Sequence, residues 1–367
     1  MSGSPHVRRP ATLASLAAEL GVSRTTVSNA YNRPDQLSAP LREKVLEAAR
    51  RLGYPGPDPV ARSLRTRRAG AVGLLLTEAL SYAFRDPVAT GFLEGLALAC
   101  EQAGQGLLLV PVSPEHADVA AVHQAGVDGF VVYSVSEDDP HFRAVLERPV
   151  PTVVCDQPVG VEGVDRVSVD DRQGMRALGE HLVGLGHRRV GVLCMRLGPQ
   201  RHDGPASLAR QQASSYPVQR ERIGGLRDAL TAAGVDWASV PVVERFEHSP
   251  EAGASGAAEL LAAHPEITAL VCTSDVLAIG ALQRAVDAGI DVPGRLTITG
   301  FDGVPEADRL GLTTVRQPVR RKGQVAGELL LERGERHTPR QVVLPTELVV
   351  GATSGPAKKP QEFFSGW

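Results

Sequence analysis

Hydrogen-bonding side chains recur on one face of a short segment near the start of the chain. At about 100° per residue, that face of a helix holds Arg24, Thr25, Ser28, Asn29 and Asn32. Short or forked side chains of this kind can reach the edges of base pairs in the major groove of DNA. Arginine can form two hydrogen bonds with guanine, and asparagine can form two with adenine. The segment therefore has the chemistry of a surface that reads DNA sequence.

A second group of polar side chains follows apolar runs that are typical of buried strands. The group comprises Asp156, Asp170, Asp171, Ser274, Asp275 and Asp302. In open parallel sheets, ligands bind at the carboxyl ends of the strands. Each aspartate can instead cap the helix that follows its strand, and for Asp171 and Asp275 capping has at least equal weight. The sequence thus predicts a polar ligand site, with helix caps as the alternative.

Motifs of common enzyme classes are missing from the sequence. No GxGxxG follows a strand-like run, and there is neither a GxxxxGK[ST] loop nor a nucleophile elbow. The four cysteines lie far apart without metal-ligand spacing, which favours buried reduced thiols. The sequence therefore predicts no catalytic residue, no metal and no cofactor.

The elements that carry the first polar face form a helix-turn-helix. Thr12 can cap a first helix whose apolar positions recur at helical spacing, and Gly21 supplies a sharp turn. Ser23 can cap the second helix, and a third helix runs from Ser38 to Gly53. An ordinary three-helix bundle with a polar outer face would show the same pattern. Ser23, Ser28 and Asn32 suit phosphate contacts, and Thr26 completes the candidate DNA-contacting set.

Charge is divided unevenly along the chain. Residues 1–70 contain 12 Lys+Arg and 5 Asp+Glu, whereas the remainder contains 27 and 37. A basic segment attached to an acidic body indicates that only the first part binds a polyanion. This asymmetry favours DNA binding over the plain bundle. The N-terminus lacks the apolar stretch of a signal peptide, and no run is long enough to cross a membrane, so we expect a cytoplasmic protein.

From residue 71 onward, short apolar runs alternate with amphipathic segments. Strands are predicted at 71–76, 106–112, 129–135, 151–156, 189–195, 269–273 and 296–302, with a helix at 174–185 among those between them. This alternation predicts an α/β body of parallel sheets with crossover helices.

The motifs together resemble one known family. The stretches "TLASLAAELGVSRTTVSNAYN", "S…LREKVLEAARRLGY" and "VARSL" are similar to the head and hinge of LacI/GalR (lactose/galactose repressor) transcriptional regulators. The resemblance implies a head at 1–56 and a hinge helix within 57–70, from which Leu64 would wedge into the minor groove. The run "GYPGPDP" is one residue longer than the family's usual version, which affects the spacing between head and hinge.

The same resemblance implies a periplasmic-binding-protein-like body at 71–351, followed by a tail at 352–367. Two Rossmann-like lobes would comprise about 71–168 with 318–344 and about 170–316 with 345–351. The chain would cross between them near residues 170, 317 and 345–347. The cleft between the lobes would hold the ligand.

Ligand-binding residues follow from the matching family positions. Asp156, Arg222 and Asp302 would hold ligand hydroxyls, and Thr77, Tyr133 and Gln317 match weaker lining positions. Tyr82 and Phe84, in a chain with few aromatic residues, would either stack on a sugar or cover the cleft mouth. The segment 196–217 would form either a lid or a disordered loop. The family's "GFDD" is "GFDG" here, which leaves the identity of the ligand open.

The function implied is a homodimeric transcriptional repressor controlled by a small molecule. It would bind a near-palindromic operator and respond to a carbohydrate, with a purine or another metabolite as the alternative. Whether the ligand releases the protein from DNA or strengthens binding is left open. The competing hypotheses are a periplasmic solute-binding protein and a sugar-acting enzyme that share the two-lobed body.

Overall fold

The computed structural model describes residues 11–57, 63, 66–76, 83–110, 118–136, 138–332 and 338–357. The chain divides into two compact units, Met1–Gly70 (the head) and Ala71–Trp367 (the body). Several predicted features lie outside the described residues: most of the hinge helix with Leu64, the cleft residues Thr77 and Tyr82, and the last ten residues of the tail.

Three complete helices lie within residues 11–57 of the head, with a short 3-10 turn at Pro34–Gln36. They are α1 (Leu13–Leu20), α2 (Arg24–Asn32) and α3 (Ala39–Leu52). Their shared core contains Leu16, Val27, Val45 and Ala49. The Thr12 hydroxyl accepts the Ser15 N–H at the start of α1, and Gly21 ends that helix at φ 64°, a left-handed conformation that favours glycine. The predicted helix-turn-helix is therefore present.

The body contains thirteen strands among its described residues. In chain order they are β1 (Ala71–Leu76), β2 (Gly106–Val110), β3 (Gly129–Tyr133), β4 (Thr152–Cys155), β5 (Asp165–Val169), β6 (Val190–Met195), β7 (Gly204–Pro205), β8 (Val242–Arg245), β9 (Ala269–Cys272), β10 (Thr297–Asp302), β11 (Thr313–Arg316), β12 (Gln341–Leu344) and β13 (Glu347–Val349). Those at the sheet centres are buried on both faces, as expected for parallel strands covered by helices.

The α-helices of the body whose bounds are described lie between these strands. In chain order they are α4 (Pro87–Gln102), α5 (Ala120–Gln124), α6 (Pro140–Leu146), α7 (Asp171–Gly184), α8 (Leu208–Gln212), α9 (Pro217–Ala232), α10 (Pro250–Ala263), α11 (Asp275–Asp287), α12 (Pro305–Leu310) and α13 (Val319–Leu331). Within the described part of the chain, no helix has both the length and the apolar character needed to span a membrane.

Two sheets organise the body into two lobes. The order in lobe 1 is β12-β5-β4-β3-β1-β2, with all strands parallel, and the order in lobe 2 is β13-β11-β10-β9-β6-β8-β7. Among the strands that the structure describes, only β13 and β7 run antiparallel to their neighbours. The chain passes between the sheets after β5, after β11 and after β12. The helical head and the two-lobed α/β body confirm the predicted fold class.

Close contact between α4 and α13 holds the returning chain against lobe 1. A Cβ atom placed on Gly95 of α4 would lie 1.9 Å from the Arg320 carbonyl oxygen, and one on Gly323 of α13 would lie 2.1 Å from the Phe92 carbonyl oxygen. Glycine on each helix therefore allows the two backbones to touch. This contact fixes the position of α13, which carries Lys322 behind the wall of the site described next.

Candidate functional site

A polar cavity lies between the lobes, at the carboxyl ends of strands from both sheets. It encloses about 120 Å³, and its walls include Tyr133 and Asp156 from lobe 1 and Asp302 and Arg222 from lobe 2. Gln317, at the second passage between the lobes, also lines it. Five of the residues predicted to bind a ligand are thus together in one place.

Arg222 is the centre of the lobe 2 wall, although it is buried. Its Nε donates to Asp171 Oδ1 at 2.8 Å, and its Nη1 donates to the Thr273 carbonyl at 2.7 Å and to Asp302 Oδ1 at 3.1 Å. The guanidinium also lies 3.7 Å from the centre of the Phe301 ring. These contacts hold the side chain in one orientation and compensate its buried charge.

Hydrogen bonds continue from Arg222 into lobe 1. Gln317 Nε2 donates to Asp302 Oδ1 at 2.7 Å, and Gln317 Oε1 accepts from Lys322 Nζ at 2.8 Å. Lys322 Nζ in turn donates to Asp156 Oδ2 at 2.6 Å. The cleft network, by which we mean Asp156, Lys322, Gln317, Asp302, Arg222 and Asp171, therefore joins the two lobes through consecutive polar contacts.

Unusual backbone conformations occur at the strand ends that border the cavity. Ser134, Asp156 and Asp302 have φ values of 53°, 64° and 125°. Non-glycine residues rarely adopt such angles, and when they do the site is often functional. The residues with strained backbone thus lie at the same edge of each sheet as the side chains that line the cavity.

Burial controls the electrostatics of the cavity. Burial raises the pKa of Asp171 to about 6, although the positive charge of Arg222 acts to lower it. Burial also raises the pKa of Asp302, and Arg222 again acts to lower it. Burial alone would lower the pKa of Arg222, but Asp302 and Asp171 outweigh it and raise that pKa. The cavity can accept hydrogen bonds at its carboxylates and donate them from its guanidinium, which suits a ligand rich in hydroxyls.

Asp170 does not line the cavity, which corrects the sequence prediction. It is exposed, and its carboxylate accepts the Gln173 N–H at 2.9 Å as the N-cap of α7. Its neighbour Asp171, for which capping and ligand binding were alternatives, does not cap the helix and instead accepts a hydrogen bond from Arg222. The reason is that α7 begins at residue 171 rather than near 174, so residue 170 occupies the cap position.

Ser274 and Asp275 also do not line the cavity. Ser274 is fully buried as the N-cap of α11 and accepts the Leu277 N–H. Asp275 Oδ2 accepts the N–H groups of Gly303 and Val304 at 2.7 and 2.9 Å, and its Oδ1 accepts the Thr314 hydroxyl. Ser274 therefore caps its own helix, and Asp275 fastens α11 to the chain after β10, so neither side chain reaches the cavity.

Replacing Asp275 with asparagine should make the body's stability less dependent on pH. Burial raises the pKa of Asp275 from 3.8 to about 7, so the folded state retains a proton that the unfolded chain releases. Its contribution is fully favourable below about pH 4 and is lost as pH rises through 7. In Asp275→Asn the amide oxygen can accept both backbone N–H groups, and the amide nitrogen can donate to Thr314. We expect the variant to gain roughly 1–3 kcal/mol relative to wild type between pH 4 and pH 8, measured by urea unfolding.

Asp170→Asn is the matched control, because asparagine is an equally good N-cap and Asp170 is exposed. Its stability difference from wild type should be the same at both pH values. A pH-independent difference for Asp275→Asn as well would contradict the assigned role of Asp275.

The segment 196–217 is folded and anchored to lobe 2, which excludes the disordered-loop alternative, while a lid role stays a prediction. It contains β7 and α8, and the Arg210 guanidinium donates to the Glu244 carboxylate, which is fully buried. Arg196 and Tyr216 at the two ends of the segment line the cavity, with the guanidinium carbon of Arg196 5.4 Å from the Tyr216 ring centre. The segment thus supplies an aromatic surface to the site.

Several lining residues were not identified from the sequence. They are Asp86, Ser134, Gln157, Arg196, Tyr216, Gln219 and His248. Burial lowers the pKa of His248 to about 4, so its ring is neutral at pH 7; its Nε2 lies 3.0 Å from Ser274 Oγ. Phe84, for which the sequence left stacking on a sugar and covering the cleft mouth as alternatives, is 62% exposed and does not line the cavity. Within the described ranges, no cluster of His, Cys, Asp or Glu side chains could hold a metal ion.

The outer face of α2 carries the predicted base-reading groups. Arg24 and Thr25 are exposed, whereas Ser23 and Thr26 bond to each other at the start of the helix, with the Ser23 hydroxyl accepting the Thr26 N–H. Asn29 donates to the Gln36 side chain at 3.2 Å, and Asn32 donates to the Ser28 carbonyl at 3.0 Å. Arg24 and Thr25 are therefore the best placed to contact a partner without breaking one of these hydrogen bonds.

Comparisons with known proteins agree on both units. Residues 180–354 match the family model described as a periplasmic binding protein-like domain. The HTH-type transcriptional regulator Rv3575c of Mycobacterium tuberculosis is 57% identical over 96% of this chain and 99% of its own length. The structure of a LacI family transcriptional regulator from Corynebacterium glutamicum is 39% identical, with a TM-score of 0.72 over 94% of this chain and 99% of that one. The complex of the transcriptional regulator CelR with cellobiose is 29% identical, with a TM-score of 0.69 over 94% of this chain and 100% of that one.

Proposed function

The protein belongs to the LacI/GalR family of DNA-binding transcriptional regulators, and we propose that it is a homodimeric repressor whose affinity for operator DNA depends on a sugar-like effector in the interlobe cavity. The observation that carries the proposal is the combination present in one chain. An exposed helix face with hydrogen-bonding side chains precedes a body that has a polar cavity shared by two lobes.

The chemistry of the cavity favours an uncharged, hydroxyl-rich effector. Asp156 and Asp302 are hydrogen-bond acceptors, Arg222 is a donor, and Tyr216 offers an aromatic face. A sugar hydroxyl can both donate and accept, and the face of a sugar ring can pack on an aromatic side chain. The relative CelR has been solved with cellobiose, which supports this class of ligand.

Control of DNA binding follows from a site that two lobes share. A ligand that bonds to Asp156 in lobe 1 and to Asp302 in lobe 2 favours one relative position of the lobes. The head is joined through residues 57–70 to β1 of lobe 1, so a change in that lobe reaches the DNA-binding unit through the chain. The coupling is reciprocal, and couplings of this kind are typically about 1–3 kcal/mol. Its sign decides whether the effector is an inducer or a corepressor.

The proposed dimer explains how a small head selects a long operator. Two heads related by a twofold axis bind the two half-sites of a near-palindrome. Leu64 would then act at the centre of the operator, where unstacking a flexible step allows the DNA to bend. A regulator of this kind works where the chromosome lies, and we therefore place it in the cytoplasm.

Selection of genomic fragments by the full-length protein at near-physiological salt tests this function. Enrichment of one short near-palindrome supports the repressor hypothesis, and repeating the binding with cellobiose, ribose or a purine identifies the effector class and the sign of the coupling. Fragments without a shared motif, bound with an affinity that vanishes as salt rises, would contradict sequence-specific binding.

Replacing Arg24 with alanine should relax the base preference at one position of each half-site. Arg24 is exposed at the first position of α2, where a guanidinium can form two hydrogen bonds with a guanine. We expect a loss of about 1–3 kcal/mol for the preferred base and little loss for other bases, measured by binding to operators with single-base changes.

Arg51→Ala is the control, since Arg51 is exposed on α3 and forms an ion pair with Glu19. It should keep the wild-type base preference. An unchanged preference in Arg24→Ala would remove the base-reading role from this residue.

A further inference from the structure

Lys322 is the most deeply buried ammonium group in the described part of the chain. Its side chain is 1% exposed, although lysine is almost never fully buried without a partner. Nζ donates to Asp156 Oδ2 at 2.6 Å and to Gln317 Oε1 at 2.8 Å, and lies 5.8 Å from the centre of the Tyr133 ring. These contacts place a cation directly behind the cavity wall.

The position of Lys322 on α13 would otherwise be apolar. The buried face of this helix also contains Val325, Ala326 and Leu329, which pack into the core of lobe 1. A methionine has a similar shape and would avoid the cost of burying a charge. The charge therefore calls for an explanation other than packing.

Asp156 provides that explanation, because its two carboxylate oxygens have different surroundings. Oδ2 accepts from Lys322, while Oδ1 is buried and accepts no hydrogen bond. The backbone oxygen of the same residue accepts from Arg166 Nε at 3.0 Å and Nη2 at 2.7 Å, which fixes the turn at the end of β4. A buried acceptor without a donor is costly, and Asp156 lines the cavity, so a ligand can supply the missing donor.

We propose that Lys322 is a positioning and specificity-determining residue. It holds Asp156 by Oδ2, so that Oδ1 accepts a hydroxyl from an uncharged effector. It also neutralises the charge of Asp156, so that the cleft excludes cationic ligands. This inference rests on the proposed function of the cavity. Lys322 acts through Asp156 and Gln317 and does not itself line the cavity.

The charges around the cavity agree with this role. The acidic groups that face it are Asp86, Asp156 and Asp302, and the cations that oppose them are Arg196 and Arg222, with Lys322 and Asp171 behind the walls. On the lobe 1 side, Lys322 bonds directly to the carboxylate of Asp156. Without Lys322, that side would attract an ammonium group.

Three variants separate the charge effect from a packing effect. Lys322→Met removes the charge, Asp156→Asn removes its partner, and the double variant removes both. Arg321→Met is the matched control, because Arg321 is the preceding residue of α13, is 50% exposed and pairs with Glu328. Calorimetric titration of the full-length proteins with glucose, glucosamine and cellobiose at pH 7 measures selectivity for neutral and cationic sugars.

We expect the ratio of glucosamine affinity to glucose affinity to rise about tenfold or more in Lys322→Met, a change of about 1.4 kcal/mol in relative binding free energy. The ratio should return to the wild-type value in the double variant and remain at that value in Arg321→Met. An unchanged ratio in Lys322→Met would overturn the inference.

A second readout requires no sugar. In Lys322→Met the buried Asp156 carboxylate has lost its cation, and burial favours the protonated acid. The stability deficit of this variant relative to wild type should therefore grow from pH 5 to pH 8, whereas the double variant should show no such growth. A stability deficit of Lys322→Met that does not change with pH would overturn the inference, even if no sugar binds to wild type. Absence of sugar binding by itself would contradict only the proposed effector class.

Discussion

Replacing Arg222 with alanine should lower the free energy of unfolding of the body by about 3–5 kcal/mol, the usual effect of removing one partner from a buried ion pair. The loss is large because Asp171 and Asp302 are left without their shared donor in side chains that are only 8% and 4% exposed. The Thr273 carbonyl loses its donor as well. Urea unfolding of the full-length variant, followed by a probe of the body, measures the effect.

Arg176→Ala is the control, because Arg176 is a half-exposed arginine that pairs with Glu180 one helical turn away. Exposed pairs of this type contribute about 0.3–0.5 kcal/mol, so the variant should resemble wild type. Equal, small effects of the two substitutions would show that Arg222 is not the centre of the network. The DNA affinity of Arg222→Ala should be compared at a temperature where its body is folded, since a lost effector response otherwise reports unfolding.

Replacing Gly95 with alanine should destabilise the body by about 3 kcal/mol, at the upper end of the usual cost of overpacking. The added methyl would lie 1.9 Å from the Arg320 carbonyl oxygen and 2.8 Å from the Gln324 N, and both are backbone atoms that cannot rotate away. The helices α4 and α13 must therefore separate. Because α13 carries Lys322, we also expect weaker effector binding, measured alongside thermal unfolding.

Gly184→Ala is the control in the same unit, and we expect it to change the stability of the body in the opposite direction. Gly184 is the exposed last residue of α7, and a Cβ added there would have no neighbour within 4 Å. Alanine is better than glycine in a helix by about 0.5–1 kcal/mol, so this variant should be slightly more stable than wild type. A similar destabilisation by both substitutions would mean that the close helix contact is not the cause.

Strand positions were predictable because their signal is local. The run at 71–76 is a strand with the predicted bounds, and the aspartates that end the runs at 151–156 and 296–302 lie at the cavity. Apolar runs of this length followed by polar residues indicate buried parallel strands, and the carboxyl ends of such strands meet at one edge. The family resemblance supplied Arg222, which lies inside a helix and has no such signal.

Adjacent polar residues were harder to distinguish, because capping and ligand binding need the same residue types. The assignment of Asp170 and Asp171 depended on the first residue of α7, and a difference of three residues exchanged their roles. Ser274 and Asp275 are similar, since both follow a strand but bond to backbone groups of α11 and of residues 303–304.

Lys322 was missed because it occurs in the charged run "VRRKGQ", which resembles a solvated helix face. Helical spacing held the missing signal: Lys322 is three positions from Val325, four from Ala326 and seven from Leu329, all apolar. A charged residue in phase with an apolar face should therefore be considered as a buried ion-pair partner. His248 has no comparable pattern around it, and only the folded chain brings it to the cavity.

The boundary between Gly70 and Ala71 has an evolutionary consequence. Every side chain predicted to contact DNA precedes it, and every described residue of the cleft network follows it. A single recombination event in the gene at this point would exchange the operator recognised without altering the metabolite sensed. New regulatory circuits can therefore arise in this lineage by shuffling two inherited modules, and a chimera joined at residue 70 would reproduce that event in the laboratory.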